Sequence, residues 1–317
     1  MSPSGSAQRL SVAVVGVGEM GRNHARCLAA MKGVDLVAVM DSDVDRCNEV
    51  AATFECRPVT SISDLPHVDA AIVAVPSASH AEVGCALMER GVHCLIEKPL
   101  ALDRTQARLL VDAADSANVV LQVGHIERFN PAVRQLKELL EGELVLVTNA
   151  RRMSAVSGRV TDIDVVMDLM VHDLDIMLFL MGDGIDSIEA RAVTGPSGPD
   201  HVTALLSFQD GRLASLTASR ITQIQIRQLE VTTRDRFFTV DYPNQELLIF
   251  QQGRIEGIGG KAAEANYSLD VDTRRVFVRR SEPLVAELEH FVGVIHGRYE
   301  NEVDGRQALS ALELVWD

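Results

Sequence analysis

In the first third of the chain, short apolar runs alternate with amphipathic stretches of helical period. Leu10 to Val15 is an apolar run of the kind a strand buried on both faces requires. Glu19 to Met31 reads as a helix, Val34 to Met40 as a second strand and Val44 to Thr53 as a second helix, completing a βαβ unit with the next helix attached. The alternation continues through strands at Asp69 to Val75, Val92 to Ile96 and Val119 to Val123, with helices at His80 to Arg90 and Arg104 to Ala117. Repeated strand and helix predict an α/β Rossmann domain, a doubly wound parallel sheet with helices on both faces. Right-handed crossovers place the carboxyl ends of its strands on one edge, where ligands bind.

Beyond Gly124 the pattern changes. Helices are expected at Pro131 to Leu140 and Val165 to Met181, with a strand near Leu144 to Arg151. Six further strands follow, at Ser187 to Thr194, Val202 to Phe208, Leu213 to Arg220, Arg227 to Thr233, Phe237 to Asp241 and Leu247 to Gln251, with turn signals such as Gln209-Asp210-Gly211 between them. Several alternate with period two, as strands with one face against helices and the other open do. Gly257 to Asn266 reads as a loop, and helices close the chain at Glu282 to His296 and Arg306 to Leu314. The expected domains are residues 1–124, dinucleotide-binding, and 125–317, an α+β substrate-binding and oligomerisation domain on a large, mostly antiparallel open-faced sheet.

Composition narrows the partners. A net charge of -15 and a pI near 5.0 argue against general affinity for nucleic acid or anionic membranes. The apolar runs fall short of the roughly 20 residues of a membrane span, and Met1 to Arg9 lacks the apolar core of a signal peptide, so a cytoplasmic location is expected. The 5 cysteines, Cys27, Cys47, Cys56, Cys85 and Cys94, form no CxxC pair and read as free thiols.

Gly16-Val17-Gly18-Glu19-Met20-Gly21 matches GxGxxG directly after a predicted strand and directly before a predicted helix. Gly16 permits the tight turn, Gly18 lets the backbone approach a pyrophosphate, and Gly21 lets the helix pack closely on the strand. The helix N-terminus, beginning at Glu19 and Met20, stabilises the phosphate charge. Asp41 closes the second strand, where a carboxylate accepts hydrogen bonds from the adenosine ribose and repels a 2′-phosphate. NAD is therefore expected over NADP. Pro76 and Ser77, at the end of the third long strand, and Glu97 and Lys98, at the end of the next, complete the expected cofactor contacts.

Asp168 and His172 stand at i and i+4 on a predicted helix and so share a face. Removing hydride from a secondary alcohol requires the hydroxyl proton to leave too. A histidine titrating near neutrality suits that task, Lys98 would stabilise a developing alkoxide, and Asp168 could orient either partner. Spacing alone leaves open whether Lys98 or His172 takes the proton. Asp173 and Asp175 also follow His172, but the helix angle turns Asp173 away and no second histidine stands at ligand spacing, so no metal site is expected.

Together the glycine turn, Glu97-Lys98-Pro99 and the Asp168/His172 pair resemble the glucose-fructose oxidoreductase / inositol dehydrogenase family of NAD(P)-dependent oxidoreductases. The resemblance implies that Lys98 and His172 meet a substrate carbinol beside the nicotinamide, with Asp168 supporting them. Gly124-His125-Ile126-Glu127-Arg128-Phe129-Asn130-Pro131, and Arg151-Arg152 leading through Arg159 to Asp162-Ile163-Asp164-Val165, resemble one branch, the UDP-N-acetylglucosamine 3-dehydrogenases and related nucleotide-sugar oxidoreductases. Arg152 and Arg159 are then expected to bind a nucleotide diphosphate, since guanidinium forks match phosphate oxygens. The expected substrate is a sugar or nucleotide sugar. The alternatives are a myo-inositol or free-sugar dehydrogenase with the same site, and a catalytically silent NAD-binding regulatory protein, against which the presence of Lys98, Asp168 and His172 argues. Apolar residues alternating along the open sheet face predict a homodimer or homotetramer paired through it.

Overall fold

The computed structural model describes residues 9–155, 164–195, 198–252 and 271–316, which form two compact units. The first opens with β1 (Leu10–Val15), α1 (Glu19–Ala30), β2 (Val34–Met40), α2 (Val44–Phe54), β3 (Arg57–Val59), β4 (Ala70–Val73), α3 (His80–Met88), β5 (His93–Glu97), α4 (Arg104–Ala117) and β6 (Leu121–Gly124). The six strands pair in parallel in the order β3-β2-β1-β4-β5-β6, the strand order of a dinucleotide-binding sheet. Val12, Val14, Ile72 and Leu95 are buried on these strands. Burial on both faces is the physical reason the strands read as unbroken apolar runs. Two short features escaped the sequence reading: the three-residue edge strand β3, and the left-handed Glu55 (φ 54°) that ends α2 just before it.

The second unit contains α5 (Pro131–Leu139), β7 (Val147–Met153), α6 (Val171–Met181), β8 (Ile185–Gly195), β9 (Gly198–Phe208), β10 (Leu213–Ser219), β11 (Ile226–Thr232), β12 (Arg236–Asp241), β13 (Glu246–Gln252) and β14 (Val271–Arg275). The start of α5 is set locally, because Pro131 occupies its first turn and the Asn130 side chain accepts the Ala132 N–H. The eight strands run β14-β13-β12-β11-β7-β10-β9-β8, antiparallel throughout except between β7 and β10. One face carries Ala150, Leu216, Leu229, Val231 and Phe238, all buried, with α5 and α6 packed nearby. The expected loop Gly257 to Asn266 lies outside the described residues.

The open face is more polar than its alternation implied. Thr203 hydrogen-bonds Thr217 across the strands, and Arg151 donates to Gln228. Leu205 (44% exposed) and Leu213 (38%) are the large apolar side chains most open to solvent on β9 and β10.

The second domain, expected to run through 125–317, ends at Ser281. The last two helices, α7 (Pro283–Ile295) and α8 (Gly305–Trp316), pack with the first unit. The reason is apolar burial: Leu284, Leu288 and Phe291 of α7 join the core around Val12, Ile72 and Leu28. Each such side chain contributes about 1.5–3 kcal/mol when fully buried. α8 packs along α4, with Gly305 against Leu121. At the other junction the first unit extends to Ile126, two residues past the expected boundary.

Candidate active site

In the first unit the three glycines are set by distinct constraints. Gly16 has φ +87°, and a Cβ there would stand 2.5 Å from the Ala74 carbonyl oxygen. At Gly21 a Cβ would stand 1.8 Å from the Gly16 carbonyl oxygen, so helix and strand can approach only because the side chain is missing. A Cβ on Gly18 meets nothing within 4 Å. That space lies at the start of α1, where Gly18 is the N-cap and no side chain caps the helix. A clear backbone approach to uncapped N–H groups suits a pyrophosphate, and the first unit therefore fits the dinucleotide. Glu19 and Met20 are exposed in the same turn.

Asp41 lies just past the end of β2, 7% exposed, with its carboxylate fully engaged. Its Oδ2 accepts the Val17 N–H (2.8 Å) and Arg46 Nε (3.2 Å); its Oδ1 accepts the Asp43 N–H (2.9 Å) and Arg46 Nη2 (2.8 Å). Burial raises its pKa, but Arg46 and the two backbone donors outweigh that and hold it below the usual carboxylate range. A carboxylate offers about four acceptor positions, so any further donor to Asp41 would have to displace part of Arg46, whose side chain is 40% exposed. Asp43, not Asp41, caps α2, through the Arg46 N–H.

Two further strand ends are tied together by a residue the sequence reading overlooked. Pro76 precedes a short 3-10 turn, Ser77–Ser79, after β4. The buried ring of His80 lies 3.0 Å from the Val75 carbonyl oxygen and 2.9 Å from that of Pro99, joining the Pro76/Ser77 turn to the turn that carries Lys98. Glu97 accepts from or shares a proton with His24 Nε2 at 2.7 Å and also accepts the Lys98 backbone N–H at 3.2 Å. Its pKa, raised by burial, is brought below the usual range by His24. Glu97 thus holds the lysine-bearing turn onto α1. Behind it, Glu287 of α7 is wholly buried with neither carboxyl oxygen hydrogen-bonded. Burial first, and the charge of Glu97 second, raise its pKa well above that of an ordinary glutamate.

In the second unit Asp168 sits in a π-helical turn, Val166–Met170, that runs directly into α6, while His172 lies in the first turn of α6. A continuous α-helix was expected. Asp164 initiates the wider turn by accepting the Val166 and Met167 N–H groups at 3.0 and 2.9 Å. Such π segments occur often at functional sites. Both Asp168 and His172 are half-buried, whereas Asp173 and Asp175 are buried.

Asp173, with Glu127, takes up Arg152, which was expected to bind the diphosphate. Its guanidinium is 3% exposed and every one of its nitrogens is engaged: Nε and Nη2 donate to Asp173 (3.1 and 3.0 Å) and Nη1 to Glu127 (2.9 Å). It also lies 5.1 Å over the Tyr242 ring. Burial opposes its charge, but Asp173 and Glu127 prevail and raise its pKa. Arg152 is therefore an internal counter-ion, buried with its fork directed at Asp173 and Glu127 and not presented to a diphosphate. Arg128 makes a second buried pair with Asp175, at 2.8 and 2.7 Å. Arg159 lies outside the described residues. One signal for this network was in the sequence: carboxylates in the apolar stretch Val165 to Met181 are stable there only with cations beside them. Among the described residues, no group of three or more His, Cys, Asp or Glu side chains is placed to hold a metal ion, and no helix is long and apolar enough to cross a membrane.

Comparison with known proteins agrees with this geometry. Residues 10–125 match the oxidoreductase family model with the NAD-binding Rossmann fold, and residues 149–236 match the GFO/IDH/MocA C-terminal domain. The chain is 36% identical over 307 residues to the UDP-N-acetylglucosamine 3-dehydrogenase of Acidithiobacillus ferrooxidans, covering 94% of this chain and 93% of that one. A solved structure of that enzyme superposes with a TM-score of 0.87 at 32% identity, covering 97% of this chain and 96% of that one. The inositol 2-dehydrogenase of Rhodococcus jostii is 32% identical over 219 residues, 64% of this chain and 60% of that protein. The chain belongs to the GFO/IDH/MocA oxidoreductase family, a family of dehydrogenases built on an NAD-binding Rossmann domain.

Proposed function

We propose that this protein is an NAD-dependent dehydrogenase acting on a secondary alcohol of a nucleotide sugar, of the type named in UDP-N-acetylglucosamine 3-dehydrogenase. The observation that carries the reading is the end-to-end similarity to that enzyme, 94% of this chain and 93% of the other, against 64% and 60% for the inositol dehydrogenase. When bound, the nicotinamide supplies the hydride acceptor. Lys98 or His172 takes the hydroxyl proton, a charged Lys98 stabilises the alkoxide that develops, and Asp168 supports them; a positioned base of this kind contributes roughly 10²- to 10⁴-fold. The cofactor preference follows from Asp41, whose anionic carboxylate opposes a 2′-phosphate, although Arg46 beside it moderates the repulsion. Leu205 and Leu213 on the open sheet face support pairing of two copies there.

The test is steady-state NADH production from a panel of nucleotide sugars, the corresponding free sugars and myo-inositol. A nucleotide sugar is expected to exceed the others in kcat/KM by at least about 10²-fold, since a bound diphosphate adds roughly two charge-assisted hydrogen bonds. Equal or better turnover of myo-inositol would move the protein to the alternative class.

A further inference from the structure

With Arg152 occupied internally, a different residue of the same sheet face is left with the donors a phosphate needs. Arg227 on β11 stands directly opposite Arg152 on β7 in the strand register, so the two side chains leave the sheet on the same face. Its main chain is fixed, because the Arg227 carbonyl accepts the Tyr242 N–H at 3.2 Å. Its side chain is half-buried and lies within electrostatic reach of Arg152, Glu127, Asp173 and Asp168. Among the described residues, however, no hydrogen bond or ion pair engages its guanidinium.

Withdrawing a guanidinium from water without giving it hydrogen-bond partners is unfavourable, and the surroundings bear this out. Burial, and then the charge of Arg152, lower its pKa, while the carboxylates of Glu127, Asp173 and Asp168 partly offset them. Arg152 with Glu127 and Asp173 forms a closed triad of net charge -1, so Arg227 is tolerated beside it by long-range attraction without being pinned in a bidentate pair. No described side chain takes the five N–H donors of its fork, which lie within electrostatic reach of the aspartate assigned to the chemistry.

We propose that Arg227, not Arg152, binds the diphosphate of the nucleoside-diphosphate substrate in the second unit. This inference rests on the nucleotide-sugar reading and specifies the residue that enforces it. A purely structural role for Arg227, balancing the triad, makes a different prediction, because its loss would then lower stability without altering nucleotide binding.

The experiment titrates UDP calorimetrically into the protein saturated with NAD, so that the dinucleotide site is filled, and compares wild type with Arg227→Gln and Arg227→Lys. Steady-state turnover of UDP-N-acetylglucosamine is measured on the same samples. The expected result is UDP binding by the wild type that weakens by about 10- to 100-fold in Arg227→Gln, a matching rise in KM for the nucleotide sugar, an unchanged KM for NAD, and partial recovery in Arg227→Lys. Wild-type UDP binding that both variants retain, with or without a lower melting temperature, overturns the role of Arg227 and leaves the proposed function standing. Failure of the wild type both to bind UDP and to oxidise nucleotide sugars removes the proposed function and this inference with it.

Discussion

The glycine turn of the first unit and the charge layer beneath the sheet of the second achieve specificity by opposite means. At Gly16, Gly18 and Gly21 the site is made by removing side chains, so that backbone approaches backbone and the space beside Gly18 stays clear. Under β7 and β11 it is made by adding charges that must find one another across 21 and 25 residues of sequence, as Arg152 does with Asp173 and Glu127. The first arrangement is local and tolerates no bulk. The second is long-range and tolerates no unpaired partner.

The largest expected effect falls on the charge layer. Arg152→Met leaves Glu127 and Asp173 buried without their cation, and breaking a buried pair in this way costs about 3–5 kcal/mol. Denaturant unfolding should show an unfolding free energy lowered by that amount; a near-native value would mean that the triad is no counter-ion network. A smaller, sharper contrast is available within the glycine turn. Gly21→Ala forces a Cβ into the Gly16 carbonyl and should cost stability of the overpacking class, about 1–3 kcal/mol, whereas Gly18→Ala adds a methyl to open space and should unfold like the wild type. Gly18→Ala should nonetheless bind NAD more weakly, by about tenfold or more in a fluorescence titration. If it bound NAD normally, the backbone at Gly18 would not be approaching the pyrophosphate.

The smallest effect concerns Glu287, a buried carboxyl that has neither a pairing cation nor a missing side chain to explain it. Its pKa is raised in the folded state, so below the unfolded glutamate pKa both states hold the proton and its contribution is intact. As pH rises past that value the unfolded chain ionises while the folded carboxyl stays protonated, and stability declines until the folded pKa is passed. Glu287→Gln removes this dependence. Its melting temperature should exceed that of the wild type by a few degrees at pH 8, with the gain shrinking toward pH 4. A gain independent of pH would show that Glu287 is ionised in the folded protein.

These contrasts also explain what the sequence could reveal. The strands of the first unit were legible because burial on both faces leaves no room for polar residues, and the glycine turn because each glycine has a steric reason to stand where it does. The edge strand β3 was not, since three residues carry too little pattern. The membership of α7 in the first unit was hidden because Leu284, Leu288 and Phe291 show only that a helix has a buried face, not which core it joins. The π turn at Asp168 depends on how Asp164 caps two backbone N–H groups, a detail below the resolution of periodicity. Arg152 and Arg227 are the clearest case. The resemblance made Arg152 look available and said nothing of Arg227, because the partners that engage Arg152, Asp173 and Glu127, stand 21 and 25 residues away in sequence.

The most direct test of the proposed chemistry follows the hydride itself. UDP-N-acetylglucosamine deuterated at C3 is incubated with NAD and either the wild type or Lys98→Met, and the reduced cofactor is weighed by mass spectrometry. Reduced cofactor carrying the deuterium, formed by the wild type and slowed by about 10²-fold or more in Lys98→Met, is the predicted result. Unlabelled reduced cofactor, or equal rates in the two proteins, would contradict it.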